Sequence, residues 1–117
     1  MKREKIAIVG MSGLFPGSET IDQFWDNLVQ NKDLVTTSTD VELGVSPDIF
    51  YDEEKGKLDH CYSLRGGYIR DFNFDPDGFK IDAEVLAKQA DQFQWSLYVA
   101  REALKDSGYW KSKTLAK

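Results

Sequence analysis

The sequence has a single cysteine, fewer basic than acidic residues and no long apolar run. Cys61 is the only cysteine, so no disulfide can form within the chain. No run reaches the roughly 18 apolar residues that a transmembrane helix needs, and the apolar stretch at residues 6–9 is too short for a signal peptide. A formal net charge of -5 and a pI near 4.8 argue against binding the nucleic-acid backbone. These absences predict a soluble cytoplasmic protein that binds neither nucleic acid nor membrane.

Aromatic side chains, in contrast, are abundant. The 117 residues include seven Phe, five Tyr and three Trp, and 41% of the chain is apolar while 30% is charged. These proportions are ordinary for a globular protein, and the length fits one domain. We therefore expect residues 1–117 to form a single unit. Its aromatic residues would fill a core or a surface that further polypeptide covers.

The first third of the chain predicts a strand, a loop and a helix. The β-branched run at residues 5–10 is typical of a buried strand, and residues 11–17 are typical of a loop held by Gly and Pro. Thr20 as N-cap, with Gln23 three residues later, predicts a capping box and a helix that reaches about Asn31. The expected apolar face of this helix comprises Ile21, Phe24, Trp25, Leu28 and Val29.

The remainder has one long periodic segment. Residues 31–64 show little periodicity beyond a short helical turn at residues 46–51, and such segments are often functional or interfacial. Residues 65–70 predict a strand entered through two glycines. Residues 82–108 predict one continuous helix, with Asp82 as its N-cap and Gly108 as its C′ glycine. Its apolar stripe comprises Leu86, Ala90, Phe93, Leu97, Ala100 and Leu104. The tail at residues 110–117 is expected to be flexible.

The stretch DFNFDPDGFKID, residues 71–82, spaces acids and amides as a calcium-binding loop spaces its ligands. Position 6 of such a loop is Gly, and here it is Pro76, which cannot make the same sharp turn. Position 12 is Asp82, which is shorter than the usual Glu. The alternating aromatics fit a half-buried extended segment, so residues 75–78 are predicted to be an ordinary turn.

Two other motifs invite a chemical interpretation, and both are better explained as structure. Asp59-His60-Cys61 contains an acid, a base and a nucleophile, but neighbours in sequence rarely meet as a triad. We predict a partly buried thiol and a surface His in a loop. The glycines at residues 10–17 lack both the G-x-G-x-x-G pattern and a G-K-[ST] pattern, so a structural turn is predicted.

The aromatic clusters are most simply core residues. They are the pair Phe24 and Trp25, and the group Phe93, Trp95 and Leu97. An acyl-chain pocket is an alternative that spacing alone does not indicate. From residue patterns, the chain is an α/β domain without a visible active site.

Several stretches together resemble one family. Residues 5–17, KIAIVGMSGLFPG, are similar to the amino-terminal signature of β-ketoacyl synthase domains of modular polyketide and polyunsaturated fatty acid synthases. Residues 21–28, with their Phe-Trp pair, are similar to the first helix of that family. Residues 65–75 resemble its next strand and turn, and residues 79–81 resemble the opening of its long helix. The resemblance covers nearly all of residues 5–109.

Two departures from the family pattern matter. Where relatives carry Asp-Pro-Gln inside the long helix, this chain has Ala90-Asp91-Gln92, and the missing Pro predicts a straighter helix. The family's nucleophilic Cys and its two supporting His lie further along than Lys117, so Cys61 and His60 do not inherit their roles. We predict no catalytic, cofactor-binding or metal-binding residue, no bound cofactor, and a chain that is inactive alone.

The resemblance implies a fold and a chemistry for the complete domain. The fold is α/β and of the thiolase-like layered type, here a partial version with short strands, a capped N-terminal helix and a long C-terminal helix. The chemistry is acyl transfer to a Cys from the phosphopantetheine of an acyl carrier protein, followed by decarboxylative Claisen condensation. The implied partners are the remainder of the synthase domain, the carrier protein and a second copy in a homodimer. The alternative is a non-catalytic docking or dimerisation module derived from a synthase.

Overall fold

The structure, a computed structural model, describes residues 5–112, apart from the side chain of Val41. This part of the chain forms two compact units, of which one comprises residues 5–14 and 72–112 and the other comprises residues 15–71. The predicted single domain over residues 1–117 stays a prediction, because one domain can contain two compact parts. No helix within the described residues is long and apolar enough to cross a membrane.

The unit at residues 15–71 has short elements joined by long loops. They are helix α1 (Ile21–Val29), strand β1 (Thr36–Thr37), helix α2 (Asp40–Leu43), a 3-10 turn (Pro47–Ile49) and strand β2 (Arg65–Gly66). The two strands pair antiparallel, with Thr36 opposite Gly66. β2 is shorter than the predicted strand because the Tyr68 hydroxyl donates back to the Leu64 carbonyl, at 3.1 Å, and its ring folds over Gly66.

Helix α1 begins as the sequence predicts. The Thr20 hydroxyl accepts a hydrogen bond from the Gln23 N–H at 3.2 Å, which confirms the N-cap. The Gln23 side chain accepts from the backbone N–H of Glu19 at 2.8 Å, one residue before the N-cap, so the second hydrogen bond of the predicted capping box goes to a different residue. The helix ends at Val29, two residues before the predicted end, because Asn31 adopts a left-handed φ of 52°.

The unit at residues 5–14 and 72–112 contains two helices, α3 (Ala83–Ala87) and α4 (Asp91–Asp106). The prediction of one continuous, straighter helix is therefore wrong, because Ala90 has an extended ψ of 148°. The Gln94 side-chain amide explains the break, since it donates to the carbonyls of Leu86 and Gln89, each at 3.1 Å. One side chain of α4 thus reaches back across the break to carbonyls at the end of α3.

The outer ends of these two helices are as predicted. The Asp82 carboxylate accepts a hydrogen bond from the Glu84 N–H at 2.8 Å and caps α3. Gly108 follows α4 with a φ of 75°. The N–H of Tyr109 donates to the Leu104 carbonyl at 2.9 Å, so the helix ends in a Schellman motif.

The predicted buried strand at residues 5–10 is wrong. These residues have no regular secondary structure, and the side chains of Ile6 and Ile8 are 94% and 90% exposed. A strand needs a neighbour that pairs its N–H and C=O groups. No strand among the described residues pairs with this segment.

The end of this segment is nevertheless fixed against α4. A Cβ atom on Gly10 would lie 2.4 Å from the Ala103 carbonyl oxygen and 2.7 Å from the Ser107 nitrogen, so no larger residue fits. The Met11 N–H donates to the Asp106 carboxylate at 2.9 Å. Close backbone approach therefore explains the glycine at this position.

The predicted apolar stripe of the second half is only partly buried. Leu86 is 1% exposed, but Phe93 is 47% exposed and does not belong to a core. The most buried residue of α4 is Arg101, at 4% exposure, which the sequence analysis did not single out.

Arg101 connects α4 to the turn that precedes α3. Its Nη1 donates to the backbone carbonyls of Asp75 and Asp77 at 2.6 and 3.1 Å, and its Nε donates to the Glu102 carboxylate at 2.9 Å. The guanidinium also lies 5.5 Å from the ring centroid of Phe79. The planar donor group thus fixes two carbonyls of one turn at once.

Replacing Arg101 by Met is expected to lower the free energy of unfolding by about 2–4 kcal/mol, because the turn carbonyls lose charge-assisted donors in a buried site. Arg101→Lys should recover only part of the loss, since an ammonium cannot reproduce the planar fork. Urea unfolding, monitored by circular dichroism, measures the free energy of unfolding of both variants. The control is Arg65→Met, whose ion pair with Asp33 is exposed, so its loss should lower the free energy of unfolding far less. Equal losses for Arg101→Met and Arg65→Met would contradict this assignment.

Candidate functional site

The acid-rich segment at residues 71–82 contains the predicted turn. The Asp75 carboxylate accepts a hydrogen bond from the Asp77 N–H at 2.9 Å, and Gly78 has a φ of 88°. The backbone carbonyls of Asp75 and Asp77 accept from the Arg101 guanidinium. Arg101 therefore occupies the Asp77 carbonyl, which is the position of the backbone ligand in a calcium-binding loop. No group of three or more His, Cys, Asp or Glu in the described part of the chain is arranged to hold a metal ion.

Cys61 and His60 lie in a loop. The thiol is half-buried, as predicted, and the Cys61 N–H donates to the Phe50 carbonyl at 2.8 Å. The predicted surface His60 is half-buried, and its Nδ1 lies 2.8 Å from the Leu58 carbonyl oxygen. The imidazole therefore contacts backbone two residues away, and this contact does not orient it as a base toward the thiol.

The loop before α1 is a structural turn, as predicted. Phe15 and Ser18 exchange two backbone hydrogen bonds, at 2.8 and 2.9 Å, and Gly17 between them has a φ of 63°. The Ser18 hydroxyl, which is 2% exposed, accepts from the Asn27 side chain of α1 at 2.8 Å. The buried hydroxyl thus anchors the turn to α1.

A groove of about 260 Å³ lies beside α1 in the unit at residues 15–71. Its floor includes the stacked rings of Phe15 and Phe24, whose centroids lie 4.1 Å apart. The apolar lining residues are Phe15, Pro16, Phe24, Leu28, Leu34 and Val35, and the polar ones are Asn27, Lys32 and Asp33. We call this cavity the α1 groove.

The outward face of α1 is apolar and exposed. Trp25, Leu28 and Val29 are 63%, 55% and 67% exposed, so the prediction that this stripe is core is wrong. The amphipathic pattern is present, but no described element covers this face. Contiguous exposed apolar side chains mark contact sites with other molecules. The α1 groove with Trp25, Leu28 and Val29 is called the α1 surface.

The charges at the α1 groove are unequally compensated. Asp33 pairs with the Arg65 guanidinium at 2.8 Å. Hydrogen bonds from the Val35 N–H first, and then from Arg65, hold the pKa of Asp33 below its ordinary value. Lys32 forms no ion pair with any residue that the structure describes. The groove therefore has apolar walls and one uncompensated cation.

A second polar cluster in this unit centres on Glu42 of α2. Its carboxylate accepts from the Arg70 guanidinium, and it accepts from the Thr39 N–H at 2.6 Å. Arg70 also donates to the Thr37 carbonyl of β1 at 2.8 Å. These hydrogen bonds, with the one from Arg70 as the largest cause, lower the pKa of Glu42 to about 2. The cluster ties α2 to β1.

Sequence reasoning missed the α1 groove and Lys32. The available signal was the apolar pair Leu34 and Val35 shortly after a helix with exposed apolar positions. That pair predicts a return of the chain toward the helix, but it does not show which face the chain covers. The burial of Arg101 could not be predicted from the sequence, because a single Arg on a helix is usually exposed.

The free energy of unfolding should fall as the pH drops from about 4.5 to about 2, because the pKa of Glu42 falls from an ordinary 4.5 to about 2 in the folded chain. The folded state then binds fewer protons than the unfolded state, so this contribution is fully present above that range and lost within it. Glu42→Gln should flatten the pH dependence in urea unfolding measured at several pH values. Glu53→Gln, at an exposed carboxylate, is the control. Identical slopes for the two variants would contradict the role of Glu42.

Comparison with known proteins identifies the family of this chain. Residues 3–117 match the family model described as "Beta-ketoacyl synthase, N-terminal domain". Polyketide synthase PksL of Bacillus subtilis (strain 168) is 34% identical over 107 residues, which cover 91% of this chain and 2% of that protein. One subunit of the polyunsaturated fatty acid synthase of Thraustochytrium sp. is 27% identical, over 89% of this chain and 4% of that protein.

One solved structure extends the comparison to the backbone. The "PfaC Keto synthase-Chain length factor" matches with a TM-score of 0.85 and 46% identity, over 93% of this chain and 12% of that chain. This chain therefore spans a small part of the proteins it matches. The structural match confirms the predicted α/β class and the partial thiolase-like fold. The chain belongs to the β-ketoacyl synthase N-terminal domain family.

Proposed function

We propose that this chain is the scaffold at the amino-terminal side of a β-ketoacyl synthase, whose complete domain catalyses decarboxylative Claisen condensation of acyl thioesters in fatty acid or polyketide biosynthesis. The observation that carries the proposal is the backbone match to a keto synthase over 93% of this chain at 46% identity. A match of this extent supports the same structural role for the corresponding segment.

The exposed run at residues 5–10 supports a scaffold role. Its N–H and C=O groups lack a strand partner among the described residues, and Ile6 and Ile8 are almost fully exposed. Strands from the remainder of the synthase would pair this backbone and cover both side chains. Full burial of an Ile contributes about 1.5–3 kcal/mol, so assembly of the complete domain has a clear driving force.

The chemistry of the complete domain requires groups outside this scaffold. A Cys thiolate attacks the acyl thioester carried on the phosphopantetheine of an acyl carrier protein, and the carrier thiol leaves. A malonyl unit then loses CO₂, and its carbanion attacks the acyl group and releases the Cys. Residues 1–117 hold no catalytic, cofactor or metal site in this proposal. The partners are the remainder of the synthase, the carrier protein and a second copy of the chain.

A chimera tests the scaffold role. Residues 5–112 replace the matching segment of the PfaC keto synthase, and we expect the chimera to retain keto synthase activity. Gly10→Ala in the chimera should abolish most of it, because the new Cβ would meet the Ala103 backbone. Gly56→Ala is the control. Nothing lies within 4 Å of the added Cβ, and the only cost is the backbone strain of a positive φ, about 1–3 kcal/mol. A folded but inactive chimera would refute the proposal.

Acyl loading tests the role of Cys61. The purified chain is incubated with a short-chain acyl thioester and examined by intact-mass spectrometry. We expect no acyl adduct and no condensation product, because His60 contacts backbone and is not oriented toward the half-buried thiol. Cys61→Ser should behave identically to the unaltered chain. An adduct that disappears in Cys61→Ser would show that this cysteine is a nucleophile.

The second candidate function is a non-catalytic docking or dimerisation module. The exposed α1 surface favours it, because a module needs an apolar contact face. This candidate predicts an inactive chimera together with a folded chain that associates with itself.

A further inference from the structure

The break between α3 and α4 has no cause in the backbone preferences of its own residues. Residues 82–107 contain neither Pro nor Gly, the two residues that interrupt helices most strongly. Lys88, at the end of α3, keeps right-handed helical angles. Ala90 is extended and gives α4 no side-chain cap, although Ala has the highest helix propensity of all residues. The break therefore depends on contacts made from elsewhere in the chain.

Ala90 departs from helical geometry in a single torsion angle. Its φ of -60° is already helical, whereas its ψ of 148° lies far from the helical value of about -42°. Rotation of this one angle would give Ala90 a fully helical backbone. The residue between the two helices is thus one bond rotation away from continuing them.

The Gln94 side chain occupies the carbonyls that a continuous helix would use. Its amide nitrogen donates to the carbonyls of Leu86, Ala87 and Gln89 at 3.1, 3.3 and 3.1 Å. In a single helix, each of these carbonyls would accept from the backbone N–H four positions later. The side-chain amide and those backbone donors are alternatives for the same acceptors, so the contacts of Gln94 favour the broken arrangement.

The apolar pattern, in contrast, favours one continuous helix. Leu86, Ala90, Phe93 and Leu97 recur at helical spacing across the break, so a single helix would place them on one face. In the broken arrangement Leu86 is 1% exposed, but Phe93 remains 47% exposed. The pattern and the side-chain hydrogen bonds therefore favour two different arrangements of the same residues.

We propose that residues 83–106 form a two-state joint, in which the Gln94 side chain holds α3 and α4 apart and its release joins them into one helix. Two packings of one segment that differ little in free energy are a basis for conformational switching. The state of the joint decides which apolar side chains are presented together, because only the single helix aligns Phe93 with Leu86. A contact that covers the aligned face would favour the single helix. This inference does not rest on the proposed function.

Nuclear magnetic resonance on the full chain tests the joint at Ala90. The ¹³Cα chemical shift of this residue reports whether its ψ is extended or helical, and we expect the extended value in the unaltered chain. Gln94→Leu removes the amide donor and keeps a good helix former, so the shift should move to the helical value. The N–H groups of Ala90 and Asp91 should then exchange with solvent about tenfold more slowly or less, because they become hydrogen-bonded.

Gln92→Leu is the matched control. Gln92 is exposed and lies in the same first turn of α4, two positions before Gln94. The same substitution at this position should leave the Ala90 shift and both exchange rates unchanged. Gln94→Glu keeps the side-chain length but cannot donate when ionised. It should give the helical shift as well, which provides a second test if Gln94→Leu does not fold.

A proline at residue 91 should reverse the effect of Gln94→Leu. Asp91 is the first residue of α4, a position that Pro favours. The residue before a proline is restricted to the extended ψ that Ala90 has in the structure. Asp91→Pro combined with Gln94→Leu should therefore restore the extended shift of Ala90. Circular dichroism and the dispersion of the amide resonances check that each variant is folded.

An extended Ala90 in folded Gln94 variants would overturn the proposal. So would an equal change in Gln92→Leu, or a helical Ala90 that persists when Asp91→Pro is added. Each of these outcomes would show that contacts other than those of Gln94 decide the break. The measurements need no catalytic activity and leave the result of the chimera unaffected, so this inference and the proposed function fail independently.

Discussion

Hydrogen bonds from a few long side chains to distant backbone carbonyls hold the irregular segments of the described structure in place. The strands β1 and β2 have two residues each, so most N–H and C=O groups outside the helices need other partners. Arg101 supplies donors to two carbonyls of one turn, and Gln94 supplies them to the end of α3. Arg70 donates to the Thr37 carbonyl of β1. Each is a long polar side chain that reaches distant backbone, which explains how the irregular segments are held in place.

Features decided by residues close in sequence could be predicted, and features that depend on long-range side-chain contacts could not. Thr20, Asp82 and Gly108 were predictable, because a cap or a left-handed C′ residue is decided within four or five positions. The break at Ala90 was not, because Gln94 stabilises it through carbonyls up to eight residues earlier. Periodicity continues through the break, so an apolar stripe alone cannot distinguish one helix from two.

Burial was less predictable than secondary structure for a related reason. The pattern identified the apolar face of α1 correctly, yet Trp25 and Val29 are exposed, because a pattern shows which face is apolar and not what covers it. The prediction for residues 5–10 was wrong in the same way, because these residues were expected to be buried and are exposed. The β-branched residues of this segment are typical of a buried strand, but the described residues supply no neighbouring strand. The family resemblance was more informative here, since it implies a larger domain around the same residues.

The distribution of apolar residues also constrains the function. Aromatic residues make up 13% of the chain, yet Leu86 is the one apolar side chain that is fully buried among the described residues. Exposed apolar groups contribute no burial free energy to the chain alone, so they stabilise only a larger assembly. Ile6 and Ile8 lie in a segment without regular secondary structure, whereas the α1 surface is a helix face with a groove. The two surfaces therefore differ in kind, because the first has backbone groups without a strand partner among the described residues and the second has exposed apolar side chains. Burial of either surface requires contacts that the described residues do not supply, and exposed apolar surface of this kind marks a contact site.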